Sequence, residues 1–480
     1  MGRRSGDHDR GIAVAELIVR GGTVVTPEGT RRADVAIEGG RIAAIEQRLP
    51  GSADAREVDA SGLLVLPGVV DVHTHTRVAS DAEPDRFFQD SVAAAFGGTT
   101  TFLSFNNPGT GAATTGSLVA DLQSWQSATN GDSAVDYGLS LVVTSAHSDP
   151  VSELPSVIGA GVPTLKAFMV YDFGVTDAVL LEMLGAAARN GGMLEVHCEN
   201  RAMLEATTQD LLAAGNVAPR FHAASRPPAV EEAGARTAIE LARIAGAPLY
   251  IVHLSSAAAL AAVREAHAAG QAVFAETCPH YLALDESRYA LPDEDCARYV
   301  ISPPLRAPAD RDALWSGLAT GSLALVATDH VPDRVAVEKQ SWRESFDRIS
   351  NGGPGIETLL AIVYSEGVAR GRISIGRMVD LLSTTPARLF GLPRKGAIEV
   401  GRDADLVLFD PTERRTLSAT ELHHTSDYTP YEGMAITGWV RSVLVRGEFV
   451  IRESHFVGRR GYGQFQERRL SLNGQPVRRS

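Results

Sequence analysis

His73 and His75 stand two residues apart in the run Leu-Leu-Val-Leu-Pro-Gly-Val-Val-Asp-Val-His-Thr-His-Thr at 63–76. On an extended strand, positions i and i+2 face the same side. Two imidazoles on one face at the end of a buried strand are either a metal clamp or a pair of partly exposed loop histidines. Taken alone, His-x-His favours the loop reading. Ligands brought to the same place by other strands decide between the two.

Apolar runs that read as strands recur at 69–75, 99–105, 137–143, 163–169, 192–198, 248–254, 272–277 and 323–329. Helical segments separate most of them, among others 85–96, 176–190, 229–245 and 256–269. Continuously apolar strands alternating with helices imply a parallel sheet buried on both faces. Eight such runs predict an α/β fold, a closed (β/α)8 TIM barrel whose active site lies where the strands end. An open doubly wound sheet would carry a glycine-rich phosphate loop after its first strand. His-Thr-His stands there instead.

The strand ends offer His73 and His75 on the first run, Lys166 on the fourth, His197 on the fifth, His253 on the sixth and Asp329 on the eighth. Any one of them can be a satisfied core residue; packing does not explain all of them at one mouth. Imidazole and carboxylate suit Zn2+, with Mn2+ or Fe2+ as alternatives. Lys166 is the misfit, since an ammonium repels a dication and is costly to bury. It can pair with a carboxylate, form a Schiff base with a carbonyl substrate, or take up CO2 as a carbamate whose oxygens bridge two metals. The third is the most economical with these histidines around it, because it removes the charge conflict.

Outside the barrel, 17–20, 23–26, 34–38, 41–46 and 62–66 read as short strands, with Gly21-Gly22 and Gly39-Gly40 at hairpin positions. Similar strands at 404–409, 440–445 and 448–451 follow it. Together they predict a small β-sandwich built from the N- and C-terminal segments. The expected division is 12–68 and 391–457 for the sandwich, 69–390 for the catalytic barrel and 458–480 for an extended surface arm.

Composition narrows the class. A chain of 480 residues, 44% hydrophobic and 21% charged, fits a globular enzyme, and a net charge of −13 argues against nucleic acid as partner. Cys198, Cys278 and Cys296 show no CxxC spacing, which points to a reducing compartment. No secretory pattern and no apolar run of membrane-spanning length is found, so a soluble cytoplasmic protein is expected.

The motifs are Asp-Val-His-Thr-His at 71–75, Lys-Ala-Phe-Met-Val-Tyr at 166–171 and Val-His-Cys-Glu-Asn at 196–200. Further on come Ile-Val-His-Leu-Ser-Ser at 251–256, Thr-Cys-Pro-His-Tyr-Leu at 277–282 and Ser-Pro-Pro-Leu-Arg at 302–306. Thr-Asp-His at 328–330, Asn-Gly-Gly-Pro-Gly-Ile-Glu at 351–357 and Gly-Arg-Asp-Ala-Asp-Leu-Val at 401–407 complete the set. In these the chain resembles the cyclic amidohydrolases, and among them the dihydropyrimidinase and D-hydantoinase group.

The resemblance implies a hydrolase that opens a hydantoin or dihydropyrimidine to an N-carbamoyl amino acid, in a homodimer or homotetramer. It implies one metal on His73, His75 and Asp329, a second on His197 and His253, and N6-carboxylysine at Lys166 bridging both. A hydroxide between the metals would attack, with Asp329 moving the proton and Tyr171 stabilising the oxyanion. Ser302 and Asn351 match positions whose backbone binds the ring; Asp71, Glu199 and Asn200 would support the ligands.

Arg77 departs from that group. Dihydroorotases place an arginine at this spacing to bind a substrate carboxylate, helped by an asparagine after the second strand, where Asn106 and Asn107 stand. Arg77 is therefore a candidate substrate-binding residue, with pairing to Asp81 or Asp85 as its ordinary alternative. Dihydroorotase-like and allantoinase-like hydrolysis remain alternatives, as does a non-catalytic dihydropyrimidinase-related scaffold, although such scaffolds tend to lose ligands that are all present here. Near the seventh strand His280 either faces the pocket or packs on Tyr281, and Trp342 and Phe346 are candidates for a lid.

Overall fold

The computed structural model describes residues 15–51, 55–106 and 115–471. Asn107, residues 12–14 and the arm beyond 471 lie outside the described residues. The chain opens with β1 (Leu17–Thr26), β2 (Gly29–Glu38), β3 (Arg41–Glu46), β4 (Arg56–Asp59) and β5 (Leu64–Pro67). The barrel strands follow: β6 (Val69–Thr74), β7 (Thr99–Phe105), β8 (Asp136–Val143), β9 (Thr164–Phe168), β10 (Met193–His197), β11 (Leu249–Ile251), β12 (Val273–Thr277) and β13 (Leu325–Val326). Each overlaps a run expected from the sequence, and they pair in parallel in sequence order. A parallel bridge between Thr74 and His330, with the His75 amide donating to His330 O at 2.7 Å, carries the sheet towards closure.

The outer helices begin where side chains can cap them. Thr176, Asn200 and Ser256 each accept a hydrogen bond from an amide in the first turn of the helix they precede, satisfying donors that would otherwise be orphaned. Apolar residues on these helices then close over the barrel, as Leu180, Met183 and Leu184 do on Asp177–Arg189. Burying such a side chain contributes about 1.5–3 kcal/mol.

After the barrel come β14 (Leu406–Thr416), β15 (Ala435–Val445), β16 (Glu448–Arg452) and β17 (His455–Phe456). They join the N-terminal strands edge to edge, β5 lying between β1 and β14. Val19, Val35 and Val65 share one core with Leu406, Leu408 and Leu444, so neither end of the chain forms this sandwich without the other. Gly39-Gly40 does turn a hairpin, with φ of 55° and 75°. Gly21-Gly22 does not: β1 runs straight through them with a register shift, a bulge that uses the left-handed φ of 68° at Gly21.

The described part of the arm, 458–471, runs mostly over the surface and is anchored by two buried residues, Gly463 and Arg468. Its backbone pairs along the start of β8, Gln466 N donating to Tyr137 O at 2.7 Å. Arg468 is buried and donates to Thr164 Oγ1 at 2.8 Å inside the barrel.

Candidate functional site

All six strand-end residues expected to carry chemistry meet at one end of the barrel, each nearly inaccessible to solvent. His73 and His75 point to the same side, their Nε2 atoms 3.3 Å apart. Asp329 Oδ1 lies 3.0 Å from both. Across the mouth, His197 Nδ1 faces His253 Nε2 at 2.9 Å. The His73 and His253 rings, 5.4 Å apart, join the two groups. Lys166 rises between them with Nζ 4.9 Å from the ring centres of Phe105 and Phe168.

Backbone geometry aims several of these groups. Tyr171, His253 and Asp329 have φ of 69°, 40° and 50°, in the left-handed region. A non-glycine residue there costs about 1–3 kcal/mol, and such strain gathers at functional sites. His253 and Asp329 lie just past the ends of β11 and β13, whose regular pairing is shorter than their apolar runs. Gly234 serves the same region from behind. A Cβ there would stand 2.6 Å from the Glu199 amide nitrogen, so only glycine lets helix Pro228–Ala245 lie flush on that backbone.

The electrostatics suit cation ligation. Burial lowers the pKa of His75 to about 4 and also lowers His197, while burial and the Lys166 charge hold His253 far down; all three imidazoles are neutral. Burial opposes His73 as well, but Glu276 and Asp329 carry it up to about 9. Burial pushes the Asp329 carboxyl up, yet His73 and His75 leave it well below its ordinary value.

Lys166 is brought down to about 8 by burial, against the pull of Asp329, Glu195 and Glu276. Its Nζ has no hydrogen-bond partner, and neither do His75 Nδ1 or His253 Nδ1. An unpartnered buried amine among four imidazoles and an ionised carboxylate is the donor set that a carbamate and two divalent cations would complete. The residues fit the group. No carboxylate lies within ion-pairing distance of Lys166 among the described residues, which leaves the simple salt-bridge reading without a partner.

Supporting contacts fall partly where expected. Asp71 accepts from Thr328 N at 3.1 Å and Thr328 Oγ1 at 2.5 Å, fixing the residue before Asp329. Glu199 Oε2 lies 2.7 Å from His197 Nε2. Asn200 caps a helix instead, accepting from Met203 N at 3.0 Å. Two buried carboxylates that the sequence reading passed over are also here. Glu276 holds His73 Nδ1 and accepts from Tyr250 at 2.7 Å. Glu195 sits beside Lys166 in strand register, both oxygens unpartnered. The signal for Glu276 was its place at the end of the seventh run.

A cavity of about 280 Å³ adjoins this cluster, lined by Tyr171, His222, Arg226, Phe346 and Asn351 among others. Ser302 stands beside it, its hydroxyl 3.3 Å from His222 Nε2. Phe346 helps wall the pocket, and Trp342 packs against it. His280 packs on Tyr281, ring centres 4.2 Å apart.

Arg77 does not lie free in the mouth. Its guanidinium is committed to Asp333 and, at 2.7 Å, to Glu338. Neither is the partner the sequence suggested, because the connection after β13 folds back over the loop after β6. Asn106 is likewise engaged, accepting from Val142 N at 2.7 Å.

Imidazoles and a carboxylate at the C-terminal ends of parallel barrel strands define a class, the metal-dependent hydrolytic barrels. The chain belongs to the amidohydrolase family, which matches residues 156–450, and to its hydantoinase and dihydropyrimidinase group. A D-hydantoinase of Geobacillus stearothermophilus is 41% identical over 94% of this chain and 96% of its own. One from Streptomyces coelicolor is 39% identical over 95% and 98%. Among solved structures, the dihydropyrimidinase of Brevibacillus agri has a TM-score of 0.89 at 41% identity, covering 94% of this chain and 98% of that one. The L-hydantoinase of Arthrobacter aurescens has a TM-score of 0.86 at 28% identity, covering 95% and 100%. The TIM barrel with its β-sandwich, expected from the sequence, is the fold of this group. No helix among the described residues is long and apolar enough to cross a membrane.

Proposed function

We propose that the protein hydrolyses a cyclic amide, a hydantoin or a dihydropyrimidine, to the N-carbamoyl amino acid. The observation that carries this reading is the unpartnered Lys166 amine set among His73, His75, His197, His253 and Asp329. His73, His75 and Asp329 would hold one divalent cation and His197 with His253 the other, Lys166 as its carbamate serving both. Zn2+ suits this donor set best, with Mn2+ or Fe2+ as alternatives. When bound, the cations polarise the scissile carbonyl and bring the pKa of a water near neutrality.

The chain's own groups do the rest. Asp329, ionised at neutral pH, accepts the proton of the attacking water and returns it to the ring nitrogen as the C–N bond breaks. Burial raises Tyr171, so its hydroxyl keeps the proton it donates in a hydrogen bond to the carbonyl oxygen as charge develops. The backbone at Ser302 and Asn351 holds the imide edge of the ring. The names of the related D-hydantoinases and dihydropyrimidinase support this substrate class.

A dihydroorotase-like preference has less support, because Arg77 and Asn106 are engaged elsewhere. The test is a panel of hydantoin, dihydrouracil, allantoin and dihydroorotate with purified, metal-analysed protein. Ring opening of the first two is expected. Absence of both metal and turnover after bicarbonate and zinc addition would sink the reading.

A further inference from the structure

Arg226 lies in the link between helices Phe221–Ser225 and Pro228–Ala245, outside the motifs described above. It is buried on the wall of the cavity beside Tyr171. Its Nη1 donates to Glu199 Oε2, the same oxygen that lies 2.7 Å from His197 Nε2. Its guanidinium carbon stands 5.7 Å from the centre of the Tyr171 ring. The residue is itself braced from below. Arg306 donates to its carbonyl oxygen and is held by Ser255 Oγ and Glu231 Oε2, each at 3.1 Å.

We infer that Arg226 is a positioning residue that serves both halves of the site at once. It keeps Glu199 turned onto His197, which fixes the ring whose Nδ1 faces His253, and it orients and polarises the Tyr171 hydroxyl. The chemistry of the group matches the task. A guanidinium presents a planar fork of donors that can meet a carboxylate and a second acceptor together, whereas an ammonium acts as a point charge. Glu199 is fully buried and its Oε1 has no partner, so without Arg226 its one remaining hydrogen-bond partner is His197. The Tyr171 arm rests on the functional reading above; the Glu199 arm does not.

Two substitutions separate the arms. Arg226→Gln removes the charge, and the His197 side is expected to lose its cation to a chelator at about 10–100-fold lower chelator concentration than wild type. Arg226→Lys restores the charge but not the fork. It is expected to retain both metals within about threefold of wild type while kcat stays about 10–100-fold down and KM barely moves. Combined with Tyr171→Phe, Arg226→Lys should add little further loss, since both act through one hydroxyl.

Wild-type chelator resistance in Arg226→Gln, full recovery of kcat in Arg226→Lys, or multiplying losses in the double variant would each overturn the inference. Should Arg226→Gln not fold, the Lys variant and the double variant decide it. If wild-type protein opens no ring at all, the functional reading fails, and metal retention in the two variants still judges the link to Glu199.

Discussion

Glu276 places one carboxylate oxygen on His73 Nδ1 and the other 2.7 Å from the Tyr250 hydroxyl, with no solvent access to either residue. This fixes the His73 ring so that Nε2, not Nδ1, faces His75 and Asp329. Partners of this kind orient a ligand and raise its basicity. Glu276→Gln should therefore weaken cation binding on the His73 side by about 10–100-fold, while the His197 side is spared. Competitive chelation followed by metal analysis checks this, and equal weakening of both sides would contradict it.

Lys166 contributes differently before and after loading. In metal-free protein its buried amine has no partner, and burial has already lowered its pKa to about 8. Lys166→Met should then stabilise the metal-free protein by about 1–3 kcal/mol in urea unfolding, because an unsatisfied buried donor is removed. The same variant should fail to take up two metals with bicarbonate present. Destabilisation of the metal-free form, or normal two-metal loading, would contradict the account.

Arg77 tests the substrate side. Asp333 is fully buried and loses a cation when Arg77 is removed, so Arg77→Met should cost about 3–5 kcal/mol of stability. The ratio of kcat/KM for neutral and carboxylate-bearing rings should stay within about threefold. A selective loss of more than about tenfold on the carboxylate-bearing ring would return Arg77 to the substrate.

His424 gives the pH dependence. It is buried with both ring nitrogens unpartnered, and burial holds its pKa at about 4 against an ordinary 6.5. Above 6.5 neither folded nor unfolded protein protonates it, and it contributes nothing. As pH falls from 6.5 towards 4 the unfolded chain binds the proton first, so stability declines by about 3 kcal/mol across that window. Unfolding free energies should show this slope in wild type and a shallower one in His424→Leu. Equal slopes would contradict it.

What the sequence made legible follows from where the information lies. His73 and His75, His197, His253 and Asp329 could be found because each stands at or near the end of an apolar run, and strand ends of a barrel converge by topology alone; Lys166 stood out as a charge inside one. Glu276 ends such a run too, but a glutamate before Thr277 looks like the polar edge of any strand. Arg77 was legible as a charge near the mouth and illegible as a partner, since Asp333 and Glu338 lie 256 and 261 positions away. Glu195 and Arg226 carry no local pattern; only the packed barrel sets one beside Lys166 and the other beside Glu199 and Tyr171. At Gly21-Gly22 the dipeptide signals a left-handed backbone correctly, yet bulge and hairpin share that signal, and pairing with β2 decides between them.

The central claim is that cations held by these ligands make the protein a cyclic amide hydrolase. The most direct measurement is the rate of hydantoin ring opening by chelator-treated protein before and after adding Zn2+ with bicarbonate. The account predicts no detectable opening in the treated protein and recovery as two metals per chain are restored. Full-rate opening by protein shown to be free of metal would contradict it.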